Sequence, residues 1–505
     1  MRRKYCNILH HPLSRPVAGL TIFLFFYFLY ASLFRPDALY RDDNIRHYVG
    51  QLFWVDEGRV LSKLSINLFT LSDGAYLSSF PQLFAVGLMA GTTFWAAQEI
   101  FGQITLFSLS LLSLLFLNPF YLQNMSYSYD SLPMTLASCA AIFAATSLIL
   151  PLCFFWLNML GIGFILYSYQ PALGLYASLA TFITVKHFMA QQLRFEAKFL
   201  VKIIFYLAAT LLLLLAYKVT ITRIFPQVTG RTLLNIHNVW PNLFHVIDNI
   251  RLVFYPNFST VFSISIGLVL LSLLVRALTI TQQPIKVLFI WLWGIFVTII
   301  AFGVIMLNAE GPSLLLPYEP YAQRLLIGTS GLWLLALYII STMSKGVYIG
   351  LYSLFALLCF SFSYSYGAFL HFQDRHSTMI ISNVHYDVTH NPALVNNTQL
   401  IAQNALPLAP ASQFMLKKTP LLAHLFGEQH LLWLSNFKIY PFLEKAIIGP
   451  TEKICESIKE MKNSHKAKKI LTTPDYALYS YKNTTFVDFY TEKDLFDTCS
   501  MRGIK

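Results

Sequence analysis

Apolar runs of about 18 to 22 residues recur through the first three quarters of this 505-residue chain, and nothing else in the sequence limits its fold so strongly. A helix rises about 1.5 Å per residue, so each run is long enough to cross a ~30 Å hydrocarbon core. Within lipid a helix also bonds all of its own backbone groups, which an open sheet or loop does not. We place about eleven spans, at 17–34, 80–98, 103–120, 132–149, 152–168, 172–189, 202–221, 259–277, 286–306, 323–342 and 347–369. Hydrophobic residues make up 56% of the chain and charged residues only 12%, which excludes an ordinary soluble protein. Many Tyr and Trp residues fall at the ends of the runs, where interfacial belts form.

The run at 17–34 follows Arg2, Arg3 and Lys4, as a signal peptide would. It is long for a signal core and lacks a small-residue cleavage site, so a retained first helix is expected. The net charge of +12 suggests nucleic acid, yet the excess is spread over loops flanking the membrane. There it anchors helices, and no basic stripe with interleaved aromatics exists to bind nucleic acid. With eleven spans, Arg15, Lys186, Arg194, Lys198, Lys202, Arg276, Lys286 and Lys345 share one side, nearly unopposed by acids. The opposite loops hold about as many bases, interleaved with Asp42, Asp43, Asp56, Glu57, Asp130, Asp248, Glu310 and Glu319. This places the N-terminus in the cytoplasm and the acidic loops outside.

Beyond residue 370 the apolar runs shorten and charge returns. The expected organisation is a membrane domain at 1–370 and a small α/β soluble domain at 371–505 on the outer side. A helix is predicted at 451–462, after Gly449 and Pro450, and strands at 477–481 and 485–490 around a turn at Lys482 and Asn483. The six cysteines lack metal-type spacing, while Cys455 and Cys499 both fall in this tail, where a disulfide is compatible with an outer location.

The first outer loop, 35–78, is long for a helix connection and carries the densest charge: Tyr40, Arg41, Asp42, Asp43, Asn44, Ile45, Arg46, His47, then Trp54 to Arg59. Ile45, Tyr48, Val49, Leu52 and Phe53 have helical spacing, and Val60, Leu61, Leu64 and Leu68 continue an apolar face. Such a segment lies in the interface plane and holds Asp42 and Asp43 at the membrane surface. Those aspartates also suit an N-cap, and Arg46, Arg59 and Lys63 suit snorkelling anchors. A second outer position sets Asp130 among Tyr127 and Tyr129, a pattern for hydroxyl-rich ligands; a turn or cap before Pro133 is the structural alternative. Tyr169 and Gln170 precede Pro171, placed to bond a polar ligand or to cap a helix. Glu310 and Arg324 flank the mouth of the tenth span, where a guanidinium suits phosphate oxygens as well as an interfacial anchor. His237 and His245 read as ordinary loop residues, and no Walker loop, nucleophile elbow or His-Glu-x-x-His pattern is present.

Taken together, the chain resembles the polytopic GT-C glycosyltransferases. More narrowly, Arg41, Asp42, Asp43, Asn44, Ile45 and Arg46, with Gly50, Trp54, Gly58 and Arg59, resemble the serotype-converting (Gtr-type) O-antigen glucosyltransferases. Tyr169 to Pro171 and the Arg324 segment are similar to that family's layout. The resemblance implies a multi-pass protein of the bacterial inner membrane with a GT-C-like helical domain and a periplasmic C-terminal domain. Its implied partners are a polyprenyl-phosphate-glucose donor, an O-antigen or lipopolysaccharide acceptor, the bilayer, and a donor synthase and flippase. Asp42 or Asp43 is the implied general base, with Asp43 preferred because Asp42 is the better placed to pair with Arg41 or Arg46. Arg324, with Arg46 and Arg59, is implied to stabilise the leaving phosphate, and the sugar configuration inverts. Asp130, Tyr127, Tyr129, Tyr169, Gln170, Glu310 and Trp54 are candidates to bind sugar or acceptor. The aspartate that is not the base orients hydroxyls or holds a divalent ion, and no cofactor or obligatory metal is expected. The competing readings are an O-antigen polymerase or ligase and a lipid-linked-sugar transporter; no pair of Gly/Pro-broken helices related across two halves favours the transporter. If the topology is correct, a reporter enzyme fused after Lys505 is active only outside the cytoplasm; cytoplasmic activity breaks the eleven-span arrangement.

Overall fold

The computed structural model describes residues 11–35, 39–40, 43, 46–47, 54–55, 58–71, 77–224, 236–315, 322–404, 406–426, 452–464 and 467–490. The chain forms two compact units: Met1–Pro36 with Leu52–Tyr364, and Asp37–Gln51 with Ser365–Lys505.

The first unit is helical. Helix α1 (Arg15–Tyr30) starts with Pro16 in its first turn, where a missing N–H costs nothing. Helix α2 (Val60–Thr70) buries Ser62 and Ile66 while Leu64 and Leu68 stand 52% and 67% exposed. This is the outward apolar face that the loop's spacing predicts. Helix α3 (Phe80–Phe101) ends at Gly102, whose φ of 73° permits the left-handed cap. Helix α4 (Leu106–Ser113) opens on a reciprocal Thr105–Ser108 capping box and is followed by α5 (Tyr121–Met125) and α6 (Ser131–Thr146). Next come α7 (Phe155–Leu166), α8 (Ala172–Ala190), α9 (Ala197–Ile224), α10 (Val239–Val253), α11 (Phe258–Ile280), α12 (Pro284–Leu307) and α13 (Ser330–Met343). Helix α14 (Lys345–His390) begins in the first unit and ends in the second.

Each of the segments expected to span contains helix, but among the described residues seven helices are long and apolar enough to cross a membrane. They are Arg15–Leu33, Ala172–Ala190, Ala197–Ile224, Phe258–Ile280, Pro284–Leu307, Gln323–Met343 and Lys345–His390. The expected count of eleven is not confirmed where the chain breaks. The run at 103–120 keeps only eight helical residues in α4, then turns around Asn118 and Pro119. Helices α6 and α7 are likewise short, at 16 and 12 residues.

The second unit is an α/β domain with a four-stranded sheet in the order β1-β4-β3-β2, where β1 is Gln399–Gln403, β2 Lys468–Thr472, β3 Tyr476–Tyr481 and β4 Thr484–Phe489. Strand β1 runs parallel to β4, and the other pairs are antiparallel. Side chains alternate between faces. Leu400 and Val487 meet Ile380, Ile381 and Val384 of α14, while Ile401 and Phe486 meet Ile458 and Met461 of α17 (Glu452–Asn463). Helices α15 (Pro410–Lys418) and α16 (Pro420–Phe426) complete the unit. The predicted turn is present, with Lys482 and Asn483 at φ of 47° and 58°, the mirror-image geometry that matches strand twist. Cys499 and the side chain of Cys455 lie outside the described residues, so the disulfide expectation does too.

A glycine junction fixes the polar end of the first unit. A β-carbon on Gly174 of α8 would collide with Asn308 O and lie 2.9 Å from Ala309 O; one on Gly328 would lie 2.8 Å from Ala309 O. Backbone therefore packs on backbone where α8, the turn after α12 and the 3-10 segment Ala322–Thr329 meet. We predict that Gly174→Ala and Gly328→Ala each cost about 1–3 kcal/mol, the usual penalty of overpacking. Gly163→Ala and Gly267→Ala, where a β-carbon meets nothing within 4 Å, are neutral or slightly stabilising. Thermal unfolding in detergent separates the two pairs.

Candidate active site

The site in the first unit is built on a buried polar stretch. Every residue from 111 to 130 is buried, although the chain is only briefly helical there. Asn118 ties the stretch to the Arg324 segment: its Nδ2 donates to Thr329 Oγ1 at 3.1 Å, and its Oδ1 accepts from Phe120 N at 3.0 Å. Gln82 of α3 donates to Met125 O at 2.8 Å, and the Tyr121 hydroxyl donates to Ser138 and Thr135 of α6 at 3.1 and 3.2 Å. These bonds fix where Tyr127, Tyr129 and Asp130 emerge.

Asp130 occupies the N-cap position of α6, but its side chain makes no capping bond. Its Oδ1 instead accepts the indole N–H of Trp54 at 2.6 Å, in a setting where both residues are buried. Trp54 and Tyr129 pack together with Ile66 and Leu132 in one buried apolar cluster. The loop bearing Trp54 is stapled in place. Arg59 N donates to Trp54 O at 2.7 Å, Leu61 N to Tyr167 O at 2.9 Å, and Ser62 Oγ to Ser168 O at 3.1 Å. Gly58, at φ 74°, packs so closely on Ile221 of α9 that a β-carbon would lie 2.5 Å away.

Arg324 is held by an aromatic face as well as a hydroxyl. Its Nη1 donates to Tyr127 Oη at 2.5 Å, and its guanidinium carbon lies 5.1 Å from the ring centre. The Tyr169 hydroxyl donates to the backbone O of Arg324 at 2.8 Å and to Asn124 Oδ1 at 3.3 Å. Burial pushes the Tyr169 phenol up to about 12; Arg324 and Arg59 pull it down, and Asp130 adds to the rise. It is therefore a proton donor at neutral pH. Those influences put Arg324, Arg59 and Asp130 in electrostatic reach of one hydroxyl. The result is a polar centre of both signs walled by aromatic rings, a chemistry suited to a sugar bearing a phosphate.

Gln170 Nε2 donates to Leu166 O and Tyr217 Oη, both at 2.8 Å, so its amide caps α7 and braces α9. In the second unit Arg46 Nη1 sits 3.5 Å from Asp43 Oδ1, and the Asp43 side chain is wholly buried. Asp43 and Arg46 stand three residues apart, on one side of a helical turn, and the expected pairing of Asp42 with Arg41 or Arg46 rests on residues that are not described. Asp42 lies outside the described residues. Asp43 N donates to Tyr40 O at 3.0 Å, and the Tyr40 hydroxyl reaches Leu425 O of α16 at 3.5 Å. Among the described residues no group of three or more His, Cys, Asp or Glu is placed to hold a metal. Asn118 and Asn124 escaped the sequence reading; amides inside an otherwise apolar run were the available signal.

Residues 31–327, well over half of the chain, match the model of a family described as glucosyl transferase GtrII. No curated protein and no solved structure matches the chain.

Glu310 follows the end of α12 and is 3% exposed. Its Oε1 has no hydrogen-bond partner among the described residues, and burial raises its pKa from 4.5 to about 8. The folded protein thus holds a proton that the unfolded chain releases. The associated stability is full below about pH 4.5 and is lost as pH rises through about 8. We predict that the wild-type melting temperature falls between pH 5 and about 8.5 relative to Glu310→Gln, which keeps the neutral shape. Parallel curves for the two proteins would show that Glu310 is ionised in the fold.

Proposed function

Since the chain belongs to the GtrII glucosyl transferase family, we propose that it moves glucose from a polyprenyl-phosphate donor to a hydroxyl of an O-antigen or lipopolysaccharide glycan. In this reading the reaction takes place on the periplasmic side of a bacterial inner membrane. The observation that carries it is the pairing of Arg324 with Tyr127 beside Tyr169, Arg59 and Asp130. A half-buried guanidinium fixed by a ring and a hydroxyl is preorganised for phosphate oxygens, and aromatic walls with a carboxylate suit a sugar.

The acceptor oxygen attacks the anomeric carbon, the bond from that carbon to the phosphate oxygen breaks, and the configuration inverts. The acceptor hydroxyl is far too weak an acid to ionise at neutral pH, so a carboxylate takes its proton as the new bond forms. Asp43, or its neighbour Asp42, is the base of this reading, and Arg46 orients Asp43 through their ion pair. Arg324 and Arg59 balance the charge that gathers on the departing phosphate. Asp130 accepts sugar hydroxyls while Trp54 holds its carboxylate in place.

The test is transfer of radiolabelled glucose from polyprenyl-phosphate-glucose to purified O-antigen lipid. Asp43→Asn should lower the rate about 10²–10⁴-fold, the usual worth of a general base. Arg324→Ala should lower it about 10²–10³-fold, as loss of a preorganised charge does, while Lys63→Ala stays near wild type. An active Asp43→Asn with an inactive but folded Asp130→Asn would move the base to Asp130. No transfer by wild type to any O-antigen lipid would overturn the reading.

A further inference from the structure

We propose that Glu310 donates its proton to the phosphate group that leaves the sugar. The inference rests on the donor class proposed above and gives that reaction a proton donor. Glu310 is 3% exposed, and its Oε1 is buried without a hydrogen-bond partner among the described residues. Two backbone contacts bracket it. On one side Ala309 O accepts from Gly328 N at 3.0 Å, within the 3-10 segment that carries Arg324. On the other, a β-carbon on Gly311, at φ 58°, would lie 3.2 Å from Gln170 O and 3.3 Å from Pro171 O. Gln170 follows Tyr169, whose hydroxyl donates to Arg324 O at 2.8 Å. The backbone of Glu310 is thus held against both segments that position Arg324, the group set on phosphate in the proposed reaction.

The charge state of this carboxyl decides which ligand it suits. The Gly311–Leu315 turn packs against α8, α10, the turn at Ile236–Asn238 and the segment Ala322–Thr329. These carry Tyr176, Lys186 and His187, then His245, Asp248 and Arg251, then His237, and then Arg324. Burial, rather than any of these groups, raises the Glu310 pKa to about 8, so the acid form holds at neutral pH. A neutral carboxyl has one O–H to donate, and a buried donor left without an acceptor is costly. Beside a phosphate an ionised carboxylate would repel, whereas a neutral acid donates, so neutrality matches an anionic ligand. A sugar hydroxyl sets no such condition, because it donates to a carboxylate as readily as it accepts from an acid.

When the acceptor oxygen attacks, the bond from the anomeric carbon to the phosphate oxygen breaks, and its electron pair goes to the phosphate. Glu310 passes its proton to that phosphate, while the base takes the proton of the acceptor. One proton leaves the acceptor and one reaches the phosphate, so the cycle closes when the base returns a proton to Glu310 through water. Protonation removes charge from the leaving group as it forms, which is the work of a general acid. Arg324 cannot do this, since a guanidinium keeps its protons.

The experiment uses purified full-length protein, with kinetics on polyprenyl-phosphate-glucose and binding of a short-chain polyprenyl phosphate without sugar. Glu310→Gln keeps a neutral side chain with an N–H donor but has no proton to release. At about pH 7 its kcat should fall about 10²-fold or more, while KM and phosphate affinity stay near wild type. Wild-type kcat/KM should decline as pH rises above about 8, where Glu310 ionises, and Glu310→Gln should lack that limb. Wild-type affinity for the sugarless phosphate should drop about tenfold between about pH 7 and 9 relative to Glu310→Gln. Wild-type kcat in Glu310→Gln, or the same pH dependence of phosphate affinity in both proteins, would overturn the proposal. Matched losses of kcat, phosphate affinity and melting temperature would also overturn it, since they mark a purely structural role. If Glu310→Gln does not fold, Glu310→Asp takes its place: its shorter acid should lower kcat and shift the alkaline limb, and a limb at unchanged pH would overturn the proposal. Phosphate affinity that depends on Glu310, without glucose transfer by wild type, would sink the proposed activity and leave the phosphate contact standing. Transfer with phosphate affinity and pH profile indifferent to Glu310 would sink this proposal alone.

Discussion

A backbone that stops being helical among membrane-spanning segments must bond its freed amides and carbonyls inside the protein, since lipid offers them nothing. The stretch from 114 to 130 meets that demand and decides where the site lies. Its residues are buried throughout, so its turns are covered by neighbouring helices. Asn118, Gln82 and Tyr121 supply side-chain bonds that hold it between α3, α6 and the Arg324 segment. Each unsatisfied polar group there would cost several kcal/mol, so the bonds are obligatory rather than ornamental. Breaking a span in this way opens a place for polar chemistry within a helical scaffold.

Fixed polar geometry then shapes the electrostatics. Asp130 accepts from an indole, a neutral donor, and Arg324 rests on a phenol ring and its hydroxyl. Tyr169, kept protonated by burial, donates to Arg324 O and Asn124 Oδ1. Packing thus brings charges of both signs to bear on the Tyr169 hydroxyl.

The fold was legible where local rules are strong. Apolar runs of span length became helices, and Lys482 with Asn483 formed the turn between two strands that alternation predicts. The helix predicted at 451–462 appears as Glu452–Asn463. Span count was less legible because hydropathy averages over a window and does not register a break such as Asn118 and Pro119 inside an apolar run. Strands β1 and β2 were missed since five residues give little periodicity, and each gains its place from partners far along the chain. At the site, residue types pointed to Asp130, Tyr127, Tyr169 and Arg324, but sequence left open whether Asp130 capped a helix. The Trp54 indole, 76 residues away, settles its bonding.

The tail shows the same limit on a larger scale. Composition marks a change of character near residue 370, yet α14 runs on to His390 because no proline or glycine interrupts it after Gly367 and because Ile380, Ile381, Val384 and Val388 give it an apolar face against the sheet. The second unit also takes in residues 37–51, a stretch more than 300 positions upstream of α15 and α16. Tyr40 reaches the backbone of α16, and Asp43 bonds back to Tyr40 while pairing with Arg46. The surroundings of the Asp43 carboxylate are therefore set partly by a domain with no catalytic motif of its own. Local pattern cannot reveal such a dependence, because the contact that creates it joins two segments that look independent in the sequence. A substitution near Leu425 acts on Tyr40 first, and through it on the turn that carries Asp43.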